Sequence, residues 1–254
     1  MRQATTRYPE HDIAVRTWRY PDAPPPRRHV LCFPFSGGSS TAFRPLAHAL
    51  GPTWAVHAVD PPGHGLGAQG DVIEDVPTLA ALYRSCLDPA LLDRTLVLGV
   101  SLGGYVAHHL MGGLADAPRR PAGLVLCSVP PYAARTRRYS DLPDEELFHG
   151  LVRLGGIPRG LSEAASAFSM FAHVVRGDFR AYEDCPAPAE RVPCPALAVV
   201  GESDPICSVA GLETWGEAFD SVRTAVVPGS HIFLTEHSPA LVPYLESFAS
   251  ELGL

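Results

Sequence analysis

Residues 95–110, TLVLGVSLGGYVAHHL, decide how this chain folds. The run TLVLGV is continuously apolar, which is typical of a strand buried on both faces of a parallel sheet. The segment that begins at Leu102 contains no proline before Pro118 and favours a helix. Ser101 therefore stands between glycines where a strand ends and a helix begins, and the sequence predicts a sharp turn there.

Short apolar runs alternate with helix-like segments along most of the chain. The predicted strands are HVLCFP (29–34), WAVHAVD (54–60), TLVLGV (95–100), GLVLCSV (123–129), ALAVVGE (196–202) and VRTAVVPG (222–229). Helices are predicted near 41–50, 78–88, 102–115 and 208–219, and a last one after Ser238-Pro239, its start disturbed by Pro243. This alternation predicts an α/β fold with a mostly parallel central sheet flanked by helices.

The alternation breaks between about 132 and 190, where the sequence carries helix signals only. We expect one domain over residues 1–254, with this segment inserted as a helical lid over one end of the sheet. The lid's apolar faces would come from Phe148, Leu151, Leu154, Phe168, Met170, Phe171 and Val174. The opening segment, with AVRTWRY (14–20), is expected to add antiparallel edge strands.

Gly99, Ser101 and Gly103 fit the pattern G-x-S-x-G. In α/β-hydrolases this pattern forms a strained strand-to-helix turn that carries a nucleophilic serine. The pattern alone is weak evidence, but here it lies in the context that the fold requires. It predicts an α/β-hydrolase fold with Ser101 as the nucleophile.

A serine nucleophile needs a base and an orienting acid, which in this fold follow later strands in the order acid, then histidine. Asp204 comes shortly after the run ALAVVGE, and His231 comes shortly after VRTAVVPG. Both fall at carboxyl ends of predicted strands, where open α/β sheets place their sites. We therefore predict a triad of Ser101, His231 and Asp204, with Glu202 and His237 as the nearest alternatives. Taken singly, Asp204 can instead cap a helix and His231 can be an ordinary loop histidine.

The oxyanion produced by attack on a carbonyl group needs two backbone N–H donors in this fold. The first should be the residue after the nucleophile, Leu102. The second should come from the loop FPFSGGSS that follows the first predicted parallel strand. Phe35 is the preferred donor and Ser36 the alternative.

Composition excludes several other kinds of function. The net charge of −7 gives no general electrostatic basis for binding nucleic acid or an anionic membrane. No apolar run approaches the roughly 20 residues of a membrane helix, and no apolar signal core opens the chain, so we expect a cytoplasmic protein. The chain has no lysine, which removes the P-loop lysine and the lysine anchor of pyridoxal phosphate. The six cysteines lack metal-site spacing, and we expect no metal and no cofactor.

Five segments together resemble one known family: LCFPFSGGSSTAFRPLAHAL, DPPGHG, GVSLGG, SDLPDEELFHGLVRLGGIP and GSHIFL. The chain is similar over about residues 29–250 to the type II thioesterases of nonribosomal peptide and polyketide synthesis, and most to the surfactin-type external thioesterases. The resemblance implies hydrolysis of unwanted acyl or aminoacyl groups from the phosphopantetheine arm of carrier proteins. It assigns Ser101, His231 and Asp204 the same roles as the residue patterns do. The family usually has histidine and methionine beside the serine, where this chain has Val100 and Leu102.

The partners implied are acyl or peptidyl carrier proteins that bind transiently to a monomer. Arg135, Arg137 and Arg138 form the densest cationic run and are candidates for pairing with the carrier's phosphate or acidic helices, although a solvated loop is the favoured interpretation. Alternative functions are a small-molecule esterase or an acyltransferase of the same fold. A catalytically inactive binding protein is the alternative from another class.

Overall fold

The computed structural model describes residues 1–68, 70–135, 137–157 and 168–254. Within them lies one eight-stranded sheet. Its strands are β1 (Arg2–Tyr8), β2 (Ile13–Arg19), β3 (Arg28–Phe33), β4 (Trp54–Asp60), β5 (Leu96–Val100), β6 (Gly123–Cys127), β7 (Val192–Gly201) and β8 (Phe219–Val227). The spatial order is β1-β2-β4-β3-β5-β6-β7-β8.

Strands β3 to β8 run parallel to one another, and β1 and β2 are antiparallel additions beside β4. The parallel strands β4, β5 and β6 are buried along their whole length, as their continuous apolar runs predict. β1 forms one edge of the sheet and is exposed along nearly all of its length. The predicted α/β-hydrolase architecture, with a mostly parallel sheet and an antiparallel edge, is confirmed.

Helices cover both faces of the sheet. The α-helices of the described residues are α1 (Arg44–Leu50), α2 (Val76–Cys86), α3 (Pro89–Leu92), α4 (Leu102–Gly113), α5 (Asp144–Leu154), α6 (Ala172–Asp184), α7 (Val209–Glu213) and α8 (Leu234–Glu251). One apolar core joins α2, α4, α5 and α6 to one face of the sheet. A second core joins α1 and α8 to the opposite face.

Between β6 and β7 the described residues form helices and no strand. α5 and α6 lie in this segment and contribute Phe148, Leu151 and Phe179 to the first core. Part of the predicted insertion, residue 136 and residues 158–167, lies outside the described residues.

β7 and α8 are two of the elements whose bounds differ from the prediction. β7 begins at Val192 although Pro193 and Pro195 follow, because β6 pairs with β7 only from Ala196 onward, and the prolines lie where one side of the strand is unpaired. α8 begins at Leu234, four residues before Ser238, and its backbone breaks at His237. No helix of the described residues is long and apolar enough to cross a membrane.

Candidate active site

Three parallel strands end at the site. Ser101 directly follows β5, Asp204 follows β7 and His231 follows β8. Because parallel strands place their carboxyl ends at the same edge of a sheet, residues far apart in the sequence meet there. The structure brings all three predicted triad residues together.

The turn at Ser101 has unusual backbone geometry, with φ of 50° and ψ of −116°. Residues other than glycine rarely adopt a positive φ, so the surrounding structure must hold this one. The Ser101 N–H donates to the Cys127 carbonyl at 3.0 Å. A Cβ atom at Gly103 would lie 2.2 Å from the Phe33 carbonyl oxygen, so the glycine lets α4 start directly against β3. The turn therefore presents the serine hydroxyl at the strand end in a fixed position.

The side chains of the three residues form one hydrogen-bonded chain. Ser101 Oγ lies 3.0 Å from His231 Nε2. His231 Nδ1 lies 3.0 and 2.9 Å from the two carboxylate oxygens of Asp204. Since the carboxylate accepts the Nδ1 proton, neutral His231 has its lone pair on Nε2, where it can accept the serine proton.

Asp204 is held in its ionised form. Burial opposes ionisation, but hydrogen bonds from His231 and from the backbone N–H groups of Ile206 and Cys207 outweigh it and lower the pKa of the Asp204 carboxyl. Both backbone donors lie 2.9 Å from Asp204 Oδ1. Asp204 thus binds the following turn and orients His231 at the same time. It does not cap α7, whose N-cap is Ser208, with its Oγ accepting the Gly211 N–H.

The structure does not bring the two alternative residues to the serine. Glu202 is exposed. His237 is also exposed and lies at the break in α8. Of the two histidines, His231 is the one that contacts Ser101, and of the two carboxylates, Asp204 is the one that contacts His231.

The predicted oxyanion donors lie close to the serine. Leu102 is the first residue of α4, so its N–H has no acceptor within the helix. Phe35 and Ser36 line the same small cavity as Ser101 and His231. Both donor assignments stay predictions, and the geometry is compatible with them.

An apolar cover lies over the reacting groups. The cavity at Ser101 has a volume of about 20 Å³ and is lined from above by Leu151 and Leu154 of α5 and by Phe179 and Tyr182 of α6. Leu151 and Leu154 are among the apolar lid residues predicted from the sequence, whereas Phe179 and Tyr182 are not. Their i, i+3 spacing on one helix face was the available signal.

The structure gives Arg135 internal partners. Its guanidinium packs over the rings of Tyr105, Tyr132 and Tyr182, and it donates to the carbonyls of Tyr132, Tyr182 and Cys185. A side chain committed in this way holds the loop after β6 to the end of α6, and this argues against the predicted docking role for Arg135.

The other two candidate arginines are more exposed. Arg138 pairs with Asp141, Glu183 and Asp184, so nearby carboxylates already neutralise it. Arg137 stacks on the ring of Tyr139 at 4.8 Å and has no ion pair among the described residues. Of the three arginines, Arg137 is therefore the one whose charge is available to bind a partner.

The known proteins most similar to this chain include thioesterases. A family model of the thioesterase domain matches residues 28–248. A probable cadicidin biosynthesis thioesterase of Streptomyces griseus is 29% identical over 91% of this chain, which spans only 65% of that relative's length. The probable anguibactin biosynthesis thioesterase AngT of Vibrio anguillarum is 26% identical over 88% of this chain and 92% of its own. The solved structure of BorB, a type II thioesterase from the borrelidin biosynthetic cluster, superposes with a TM-score of 0.79 at 26% identity, covering 92% and 97% of the two chains. With the family model spanning most of its length, the chain belongs to the thioesterase family within the α/β-hydrolase fold.

Proposed function

We propose that this thioesterase hydrolyses acyl or aminoacyl thioesters on the phosphopantetheine arm of carrier proteins, and so clears misloaded arms in a peptide or polyketide synthesis pathway. The observation that carries the chemical part is the hydrogen-bonded chain Ser101–His231–Asp204 at the strand ends. The biosynthetic part is supported by relatives whose names place them in anguibactin and borrelidin biosynthesis.

The first half of the reaction forms an acyl-enzyme. His231 Nε2 takes the proton of Ser101 Oγ as the oxygen attacks the thioester carbonyl carbon. The backbone N–H groups of Leu102 and Phe35 receive the developing oxyanion. The carbon–sulfur bond then breaks and the pantetheine thiol leaves. A thiol has a pKa of about 8.5, so its departure needs less protonation by an acid than the departure of an amine does.

The second half releases the acid. His231 takes a proton from a water molecule, whose oxygen attacks the acyl-enzyme carbonyl, and the Ser101 oxygen leaves with the proton that His231 returns. The apolar cover of α5 and α6 limits how many water molecules reach the acyl-enzyme. Asp204 stabilises the imidazolium in both halves of the reaction.

The test of this function uses Ser101→Ala and a loaded carrier protein. We expect wild-type protein to remove the acyl mass from the carrier and Ser101→Ala to remove none, while both unfold at the same temperature. Mass spectrometry of carriers loaded with acetyl, longer acyl and aminoacyl groups measures the release. Turnover by Ser101→Ala would remove Ser101 from the mechanism.

Two comparisons distinguish this proposal from the alternatives. A higher kcat/KM for simple esters than for carrier thioesters would favour a small-molecule esterase. Failure of Ser101 to react with an active-site fluorophosphonate would favour an inactive binding protein, but the short Ser101–His231 contact predicts rapid labelling.

A further inference from the structure

A second acid–histidine pair lies outside the triad. His64, in the loop after β4, and Asp178, on α6, are both buried, and His64 Nε2 lies 2.9 Å from Asp178 Oδ2. The same carboxylate oxygen accepts the backbone N–H of Gly37 at 2.6 Å. One side chain of α6 therefore touches two separate loops of the core.

The hydrogen-bond partners of His64 define its protonation. Its Nδ1 lies 2.9 Å from the Pro62 carbonyl, and its Nε2 faces the Asp178 carboxylate. Both partners are acceptors only, so both ring nitrogens carry a proton when both bonds are made. Burial opposes this charge, but the attraction of Asp178 outweighs it and raises the pKa of His64. The pair is thus a buried ion pair.

The Gly37 N–H belongs to a tight turn in the oxyanion loop. The Gly38 N–H donates to the Phe35 carbonyl at 2.8 Å and closes the turn, and Gly37 has a φ of 74°. This positive φ at the third turn position is typical of a type II turn. Rotation of the peptide between Ser36 and Gly37 converts such a turn into another type, and the bond to Asp178 opposes that rotation.

Asp178 also lies close to both predicted oxyanion donors. Asp178, Phe35 and Leu102 line one cavity of about 20 Å³. On α6, Asp178 directly precedes Phe179, which lines the separate cavity at Ser101. A movement of α6 that uncovers Ser101 therefore pulls on the carboxylate that holds the oxyanion loop.

We propose that Asp178 is a positioning residue that couples α6 to the oxyanion loop, with His64 as its cationic partner. The inference rests on the proposed thioester hydrolysis at Ser101. When α6 is seated, the Gly37 N–H is bound and the turn that contains Phe35 keeps its shape. When α6 moves away, this bond breaks and the loop loses its fixed shape.

The first experiment compares Asp178→Asn with Arg180→Gln. Asn keeps the shape of the side chain but replaces charge-assisted hydrogen bonds by weaker neutral ones. Arg180 is the control, because it ties α6 to the loop before α2 through an exposed pair with Glu74 at 2.7 Å and has no bond to the oxyanion loop. Both are assayed on a small acyl thioester, which needs no carrier protein.

Losing a whole oxyanion donor costs about 10²- to 10³-fold in kcat, so a loosened one should cost about 10-fold or more. We expect Asp178→Asn to lower kcat by that factor with KM within about twofold, and Arg180→Gln to change neither constant. A tetrahedral trifluoromethyl ketone analogue should bind Asp178→Asn more weakly by a similar factor, since it uses the same donors. Wild-type kcat in Asp178→Asn, or equal losses in both variants, would overturn the proposal.

The second experiment uses pH and remains decisive if Asp178→Asn fails to fold. The charged groups that act on His64 are Asp178 on α6 and Asp60 at the end of β4. Asp60 in turn pairs with Arg16 of β2 at 3.7 Å, and Tyr83 on α2 interacts with both carboxylates. As pH rises through the raised pKa of His64, the imidazolium loses a proton and one of its hydrogen bonds. We therefore expect wild-type kcat to fall as the pH rises through this raised pKa, which lies above the ordinary histidine value, and we expect His64→Gln to lack this decline. A flat wild-type profile, or the same decline in His64→Gln, would overturn the role of His64.

These outcomes are separable from failure of the proposed function. If the wild type cleaves the small thioester but not a carrier thioester, the carrier assignment fails. The coupling between α6 and the oxyanion loop can then still be tested on the small thioester. If Ser101→Ala retains turnover, the reaction itself is misassigned.

Discussion

Asp204 sets the direction of every proton transfer that the triad can make. Its carboxylate accepts from His231 Nδ1 and from two backbone N–H groups, and the latter hold it in place even when His231 moves. The charge of the carboxylate matters as much as its position, because only an acceptor keeps the Nδ1 proton of His231 and leaves Nε2 free for Ser101.

Asp204→Asn tests this role. An asparagine can turn its NH₂ group toward Nδ1, which places the imidazole proton on Nε2 and leaves no base for Ser101. We expect kcat to fall roughly 10³- to 10⁴-fold with little change in KM, as in serine proteases with the equivalent change. Glu202→Gln is the matched control, exposed and two residues away, and should keep wild-type kcat. A loss of less than tenfold in Asp204→Asn would contradict the assignment.

At the scale of elements, the junction between β5 and α4 has the least tolerance for change. Gly99 and Gly103 each leave no room for a side chain, because a Cβ at either position would lie 2.2 Å from a backbone oxygen. The strained Ser101 backbone between them depends on this close packing. Further along α4, Gly112 is not packed in this way.

Two glycine substitutions in α4 should therefore have opposite signs. Gly103→Ala forces apart α4 and β3, and we expect it to lower the free energy of unfolding by about 2 kcal/mol or more and to abolish activity. Gly112→Ala places its Cβ at an ordinary 3.6 Å from Val192 and removes a helix-weakening glycine. It should raise the free energy of unfolding by about 0.5–1 kcal/mol with unchanged kcat. Urea unfolding measures both, and equal effects would contradict the packing argument.

At the scale of the whole molecule, the net charge is −7, and two of the three arginines in the run 135–138 already have partners within the fold. Arg135 is committed to three tyrosine rings and Arg138 to three carboxylates. Arg137 remains for an approaching anionic partner, and this position is the surviving part of the docking prediction.

Arg137→Glu should weaken only the encounter with a carrier protein. We expect KM for an acyl-carrier substrate to rise about 3- to 10-fold, with unchanged kinetics on a small thioester, because a surface charge acts on association rather than on the chemical step. Arg2→Glu makes the same change in net charge on the distant edge strand β1 and is the control. Equal effects on carrier and small substrates, or in both variants, would refute the docking role of Arg137.

The sequence predicts the sheet and the triad for the same reason. Buried parallel strands are continuous apolar runs, and their carboxyl ends collect the reactive residues, so Ser101, Asp204 and His231 can be identified from position alone. The contacts of α6 could not be identified in this way. Asp178 and His64 meet only because α6 packs across the loop after β4, and no local pattern encodes a contact between segments so far apart in the chain. The internal role of Arg135 was hidden similarly, since its three tyrosines come from three separate parts of the chain.

The exposed edge strand β1 bears on whether two copies of this protein pair through their sheets. Its outer backbone groups are unpaired, and an unpaired strand is a template on which a second chain can add and begin an aggregate. β1 carries two arginines and two threonines and no large aliphatic side chain. Arginine on such a border repels an identical neighbour, so the pairing of one β1 strand with another is disfavoured.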